Sequence, residues 1–174
     1  MVVYPESYYR LPADLAQAIG QAVAGFGWLE EVLKRTIYSL DRARLADDLS
    51  EVELQAWLQQ MSEIADDSMG TLIEQLDAAL RRHPGIRDRV ALNEALKEIR
   101  QNRNLLCHAS WQPSGRAGHW HPAFVNTRGE RFADELSIPE IETMLQDTHE
   151  LGHRLIRIMR ATGIPGEWPG DEKA

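Results

Sequence analysis

Apolar residues recur at three- and four-residue steps along most of this chain, the spacing that aligns one face of an α-helix. Leu15, Ile19, Ala22, Phe26, Leu29, Leu33, Ile37 and Leu40 form the first and longest stripe, with Pro12 suited to its opening turn. Gly20, Gly25 and Gly27 interrupt it, each lowering helix propensity by up to ~1 kcal/mol relative to alanine, and are expected to admit a close neighbour instead. A charged run, 41–48, follows as a connector or short helix. Leu54, Trp57, Leu58 and Met61 carry a second helical stretch from Ser50, interrupted at 66–68. Leu72, Ile73, Leu76 and Leu80 carry another as far as Arg82, where Pro84 and Gly85 stop it. The next pattern spans 86–110 and has Val90, Leu92, Leu96, Ile99 and Leu106 on its apolar seam.

Residues 111–134 change character. Pro113, Gly115, Gly118 and Pro122 break helices, and 119–125 with 130–132 read as two short strands around Thr127, Arg128 and Gly129. Ser137, Ile138, Pro139 and Glu140 then form a capping box with proline just inside the helix start. The helix they open keeps Ile141, Leu145, Leu151, Leu155, Ile158 and Met159 on one side until Gly163 and Pro165 end it. The expected fold class is all-α: a bundle of four to five helices with a short β-hairpin or ordered loop between the last two long ones. At 174 residues the chain is expected to be a single domain over 1–174, with 1–11 a peripheral tyrosine-rich lead-in and 163–174 a peripheral tail.

Composition narrows the setting. No run of ~18 apolar residues exists, and the N-terminus lacks the basic-then-apolar layout of a signal peptide. The single cysteine, Cys107, rules out an internal disulfide and fits a cytoplasmic location. It reads as a small core residue. A net charge of −8 argues against a general nucleic-acid coat protein, while leaving room for a local basic patch.

The chemistry concentrates in residues 99–111, at the end of the penultimate long helix. Arg103 and His108 stand five positions apart, with Asn104 directly after the arginine. At about 100° per residue His108 lies roughly 140° around from Arg103, and Asn104 lies almost beneath His108. Arginine stays charged and can fork onto a phosphate; imidazole titrates near neutral pH and can move protons. Those are the parts needed to cleave RNA without a metal. Arg103 also falls inside the apolar seam, where a charge needs a partner or an interface. The spacing alone carries little, since Arg116 and His121 repeat it in a Gly/Pro-rich segment.

The run Arg103, Asn104, Leu105, Leu106, Cys107, His108, followed by Ala109, Ser110 and Trp111, resembles the motif of the HEPN superfamily of small all-helical proteins. The first long helix, with Glu30 and Glu31, resembles that family's opening helix. The resemblance implies a metal-independent endoribonuclease, of the toxin or defence kind, with no cofactor. It would cleave RNA to 2′,3′-cyclic phosphate ends at a site composed across a homodimer. His108 would move the proton, Arg103 would hold the scissile phosphate and Asn104 would orient His108 or touch the phosphate. The family also includes non-catalytic modules that bind RNA or a protein partner, such as an antitoxin or a nucleotidyltransferase.

Three other features compete. His149, Glu150, Leu151, Gly152 and His153 match a zinc-hydrolase signature in the last helix, yet the two histidines fall with Glu142, Gln146, Arg157 and Arg160 on its polar face. His119 and His121 would share one face of a strand and, with His108, suggest a three-histidine metal site. Arg116, Arg128 and Arg131, interleaved with Trp111, Trp120 and Phe124, suggest a surface that grips a nucleotide strand by charge and stacking.

Overall fold

The computed structural model describes residues 10–45, 52, 56, 59–60, 63, 68–126, 128–132 and 134–162. The lead-in apart from Arg10 and Leu11, most of the stretch from Ser50 to Met61, and the tail all lie outside the described residues. The described chain is mostly helical. Its helices are α1 (Ala13–Leu45), α2 (Met69–Arg81), α3 (Arg89–His108) and α4 (Ile138–Ala161), joined by strands β1 (Ser110–Pro113), β2 (His119–Ala123) and β3 (Leu136–Ser137) between α3 and α4. No helix among the described residues is long and apolar enough to cross a membrane.

α1 is a rod of 33 residues, about 50 Å long at 1.5 Å per residue. It does not break into a charged connector at Asp41. That carboxylate is buried and accepts a hydrogen bond from Arg82 Nη2 at 2.5 Å, while the His83 ring meets the Leu40 carbonyl at 2.8 Å. The turn after α2 thus neutralises the charge that, in sequence, reads as the start of a connector. Leu15, Ala22, Phe26, Leu29, Leu33, Ile37 and Leu40 are all buried, and α4 is the neighbour that covers most of this stripe.

Two glycines set the approach of α1 to α4. A Cβ on Gly25 would fall 2.4 Å from Leu145 Cδ1, and one on Gly152 would fall 2.3 Å from Trp28 Cζ3. Gly20 and Gly27 meet nothing within 4 Å, so the expected close approach belongs to Gly25 alone among the three.

Asp77 ties α2 to α3, accepting hydrogen bonds from Arg81 (3.0 Å) and from Arg89. Burial pushes its carboxyl upward in pKa, but the hydrogen bonds from Arg89 and Arg81 outweigh that and hold it below the ordinary value. Asp88 enters α3 with φ 64°, a left-handed conformation that aspartate tolerates. On α3, Leu92, Leu96, Ile99 and Leu106 are buried as the seam requires. Val90 is not: it lies in the first turn and faces solvent, 66% exposed. Cys107 is also exposed, which corrects its assignment to the core, because the helix turns it away from the Leu106 side.

Past His108 the backbone leaves the helix at Ala109 and becomes strand, drawing Trp111 into the core. β1, β2 and β3 form an antiparallel sheet in that order, with Trp111 opposite Pro122. β3 pairs only with His119 and Trp120, so the missing N–H of Pro122 disturbs no ladder on that side. The expected hairpin around Arg128 survives only as a bridge between Val125 and Arg131; the main pairing uses β1 and β3, neither of which was expected.

The start of α4 matches its sequence signature. Glu140 accepts hydrogen bonds from the Ser137 N–H and hydroxyl, both at 2.7 Å. These bonds, the hydroxyl's first, hold the Glu140 carboxyl below its ordinary pKa. Alanine at Ser137 is expected to lower stability by ~0.5–2 kcal/mol. A depressed carboxylate contributes stability that is complete above its unfolded pKa of about 4 and is lost as pH falls through the folded value. Thermal melts from neutral to pH ~3 should therefore show a smaller acid-dependent loss for Ser137→Ala than for the wild type; parallel curves would contradict this role for the cap.

Candidate nucleic-acid interface

The three residues of the motif do not share one face of α3. Arg103 continues the buried seam of Ile99 and Leu106, and its guanidinium reaches α1, where Nη2 lies 3.8 Å from Glu30 Oε1. Both side chains remain partly exposed, at 36% and 26%. The charge inside the seam thus has its partner within the same chain. Arg103 Nη1 also donates to Asn104 Oδ1 at 3.2 Å, which leaves the amide nitrogen of Asn104 for another acceptor.

Asn104 belongs to the opposite, polar stripe of the helix. Lys97, Gln101, Asn104 and His108 recur at three- and four-residue steps, so they stand above one another along about three turns. The first three border a groove of about 600 Å³. His108 is the last residue of α3, exposed, and its side chain makes no hydrogen bond or ion pair with any described residue. In particular, Asn104 does not hold it.

The far wall of this groove is the segment after β2. Phe124, Arg128, Arg131 and Phe132 line it, together with Asn126 and Glu130. Asn126 shapes the turn: its Oδ1 accepts the N–H groups of Arg128 (2.9 Å) and Glu130 (3.0 Å), and its amide donates to Glu130 Oε2 at 2.6 Å. Gly129 completes the turn at φ 79°, a conformation other residues rarely adopt. Of the aromatic and basic residues expected to form a gripping surface, the structure brings Phe124, Arg128 and Arg131 to the groove. It removes Trp111 to the core, packs Trp120 against the core, and leaves Arg116 out of the groove.

Sequence reasoning missed Lys97, Arg100 and Gln101, the helix side of the groove. Their signal was present, since Lys97 and Gln101 precede Asn104 and His108 on the same helical stripe and Arg100 stands one turn before Asn104.

The histidine signature in α4 takes another form. His149 and His153 both pack on Trp28 of α1, with ring centroids 5.2 and 5.5 Å away. They are exposed as expected, yet they also hold an indole over Gly152. Glu150, about 100° around the helix, accepts from Gln146 and opens on a separate groove between α3 and α4. His119 has its Nδ1 3.0 Å from the Ala117 carbonyl oxygen, and no three His, Cys, Asp or Glu converge among the described residues. The triad of His108, His119 and His121 is therefore not assembled.

No protein-family model matches the chain, and no curated protein and no solved structure matches it either.

Proposed function

We propose that this protein is a metal-independent, HEPN-like endoribonuclease of cytoplasmic origin that works as a homodimer. The observation that carries the reading is the end of α3. Within its last two turns stand a forked cation, an amide that opens on a basic groove, and an exposed, unengaged imidazole in line with that amide.

In the proposed reaction the ribose 2′-oxygen attacks the adjacent phosphorus and the bond from phosphorus to the 5′-oxygen breaks. The 2′-hydroxyl gives up its proton and the departing 5′-oxygen gains one, leaving a 2′,3′-cyclic phosphate and a 5′-hydroxyl. His108 handles one of these protons. Arg103 stabilises charge on the phosphate oxygens. Because the two side chains diverge by roughly 140° around one helix, the site is composite: His108 of one copy works beside Arg103 of the other.

A second reading has its own support. Glu30 already meets the charge of Arg103 inside one chain, as in a binding module that keeps the fold and has lost the chemistry. Its partner would be RNA or a protein such as an antitoxin or nucleotidyltransferase.

One experiment separates the two. Structured and total RNA are incubated with the protein in excess EDTA, product ends are determined, and the mass in solution is measured by light scattering. Cyclic phosphate ends from a dimer are the expected result. Binding without cleavage selects the second reading, and cleavage by a strict monomer overturns the composite site.

A further inference from the structure

The groove between α3 and the turn at 124–132 has a composition unlike the rest of this acidic chain. Arg100, Arg128 and Arg131 border it with Lys97, which Glu94 pairs at 2.9 Å, against the single lining carboxylate of Glu130, which Asn126 holds. Elsewhere Arg35, Arg81, Arg82, Arg89 and Arg154 each lie against a carboxylate. Among the described residues Arg100, Arg128 and Arg131 have no such partner; Arg87 and Arg157 have none either, and what sets the first three apart is that they border one concavity. Like charges gathered around one concavity repel each other, and a bound polyanion relieves that repulsion.

Position is fixed as well as charge. The guanidinium of Arg100 lies over Gly70 of α2, where a Cβ would come 2.8 Å from Arg100 Cζ; a bare patch of helix backbone gives it room. Arg128 stands on the turn that Asn126 ties. Phe124 and Phe132 are joined by a backbone hydrogen bond from Phe132 N–H to the Phe124 carbonyl (3.1 Å). Both pack on the core while bordering the groove. Aromatic faces beside a basic groove suit unpaired bases, which expose their π-surfaces, whereas a duplex hides them. A volume of about 600 Å³ gives splayed nucleotides room to enter.

We infer that this groove binds an unpaired segment of an RNA strand, with Arg100 and Arg128 on its phosphates and Phe124 and Phe132 stacking its bases. The choice of RNA rests on the ribonuclease reading of the α3 terminus. On its helix side the groove reaches Asn104 and Leu105, which leaves His108, one turn beyond Asn104 on the same stripe, in the path of a strand that continues past them.

The probe is a short fluorescent oligouridylate, followed by anisotropy in EDTA with the His108→Ala protein so that it stays intact. The combined Arg100→Gln and Arg128→Gln variant, altered only at exposed side chains, should bind roughly tenfold more weakly or worse. Its plot of log affinity against log salt should be shallower by about 1.4, at ~0.7 per lost phosphate contact. Gly70→Ala, which displaces Arg100 while leaving the core intact, should weaken binding with no loss of thermal stability. A paired RNA of equal length should compete poorly. Equal affinity of the double variant, or equal competition by the duplex, overturns the groove assignment. Wild-type cleavage assays run in parallel distinguish that failure from the fall of the ribonuclease reading: cleavage without groove binding sinks only the groove, and neither cleavage nor binding sinks both.

Discussion

Alanine in place of His108 should reduce RNA cleavage about 10²–10⁴-fold, the usual worth of a positioned acid or base. The side chain is exposed and has no partner among the described residues, so its removal should leave thermal stability unchanged. That pairing of outcomes is the useful part: lost activity with an unshifted melting curve assigns chemistry to the imidazole. Arg103→Lys should fail similarly, because a point charge does not reproduce the planar fork. It keeps the attraction to Glu30, a partly exposed pair at 3.8 Å worth about 1 kcal/mol or less, so the fold should survive. Asn104→Ala should cost less than either. Glu30→Gln gives the sharpest contrast, for it frees Arg103 within its own chain; activity held or raised fits an arginine meant for phosphate. Undiminished cleavage by His108→Ala would remove the catalytic assignment altogether.

Phe26→Ala should be the most destabilising single truncation, at ~3–5 kcal/mol. Phe26 is 2% exposed and stands in the α1 stripe that α4 covers, flanked in sequence by Gly25, whose missing Cβ admits Leu145. Interfaces drawn this close have little freedom to collapse into a cavity, and unrelaxed cavities lie at the high end of the range. In a domain of this size the loss corresponds to a melting point lower by roughly 6–20 °C. Phe26→Leu should cost far less, because it keeps most of the volume. A shift of only a degree or two for Phe26→Ala would mean that the α1–α4 contact is looser than drawn.

Helix positions were legible because each rests on local terms. The apolar period of α1, the Pro84–Gly85 stop after α2 and the capping box at Ser137 are properties of neighbours in sequence, and the structure keeps all three. The end of α1 was not legible, because Asp41 reads as polar until Arg82, distant in sequence, neutralises it. β1 and β3 escaped notice for a similar reason. Strands of four and two residues carry too little period to show, and they exist through pairing with β2.

The candidate site divides along the same line. From the sequence alone came the residue types and angles: a forked cation, an amide and an imidazole at the end of one helix, with Arg103 set in the apolar seam and His108 about 140° away. Only the tertiary structure decided what each of them meets. It turned Arg103 toward Glu30, set Trp28 against both His149 and His153, and brought the turn at 124–126 and 128–132 across from Arg100 to make a basic groove. Helical period is fixed by backbone geometry within a few residues, whereas the partner of a charge or a ring depends on which distant segment the packing of glycines and buried side chains carries to it.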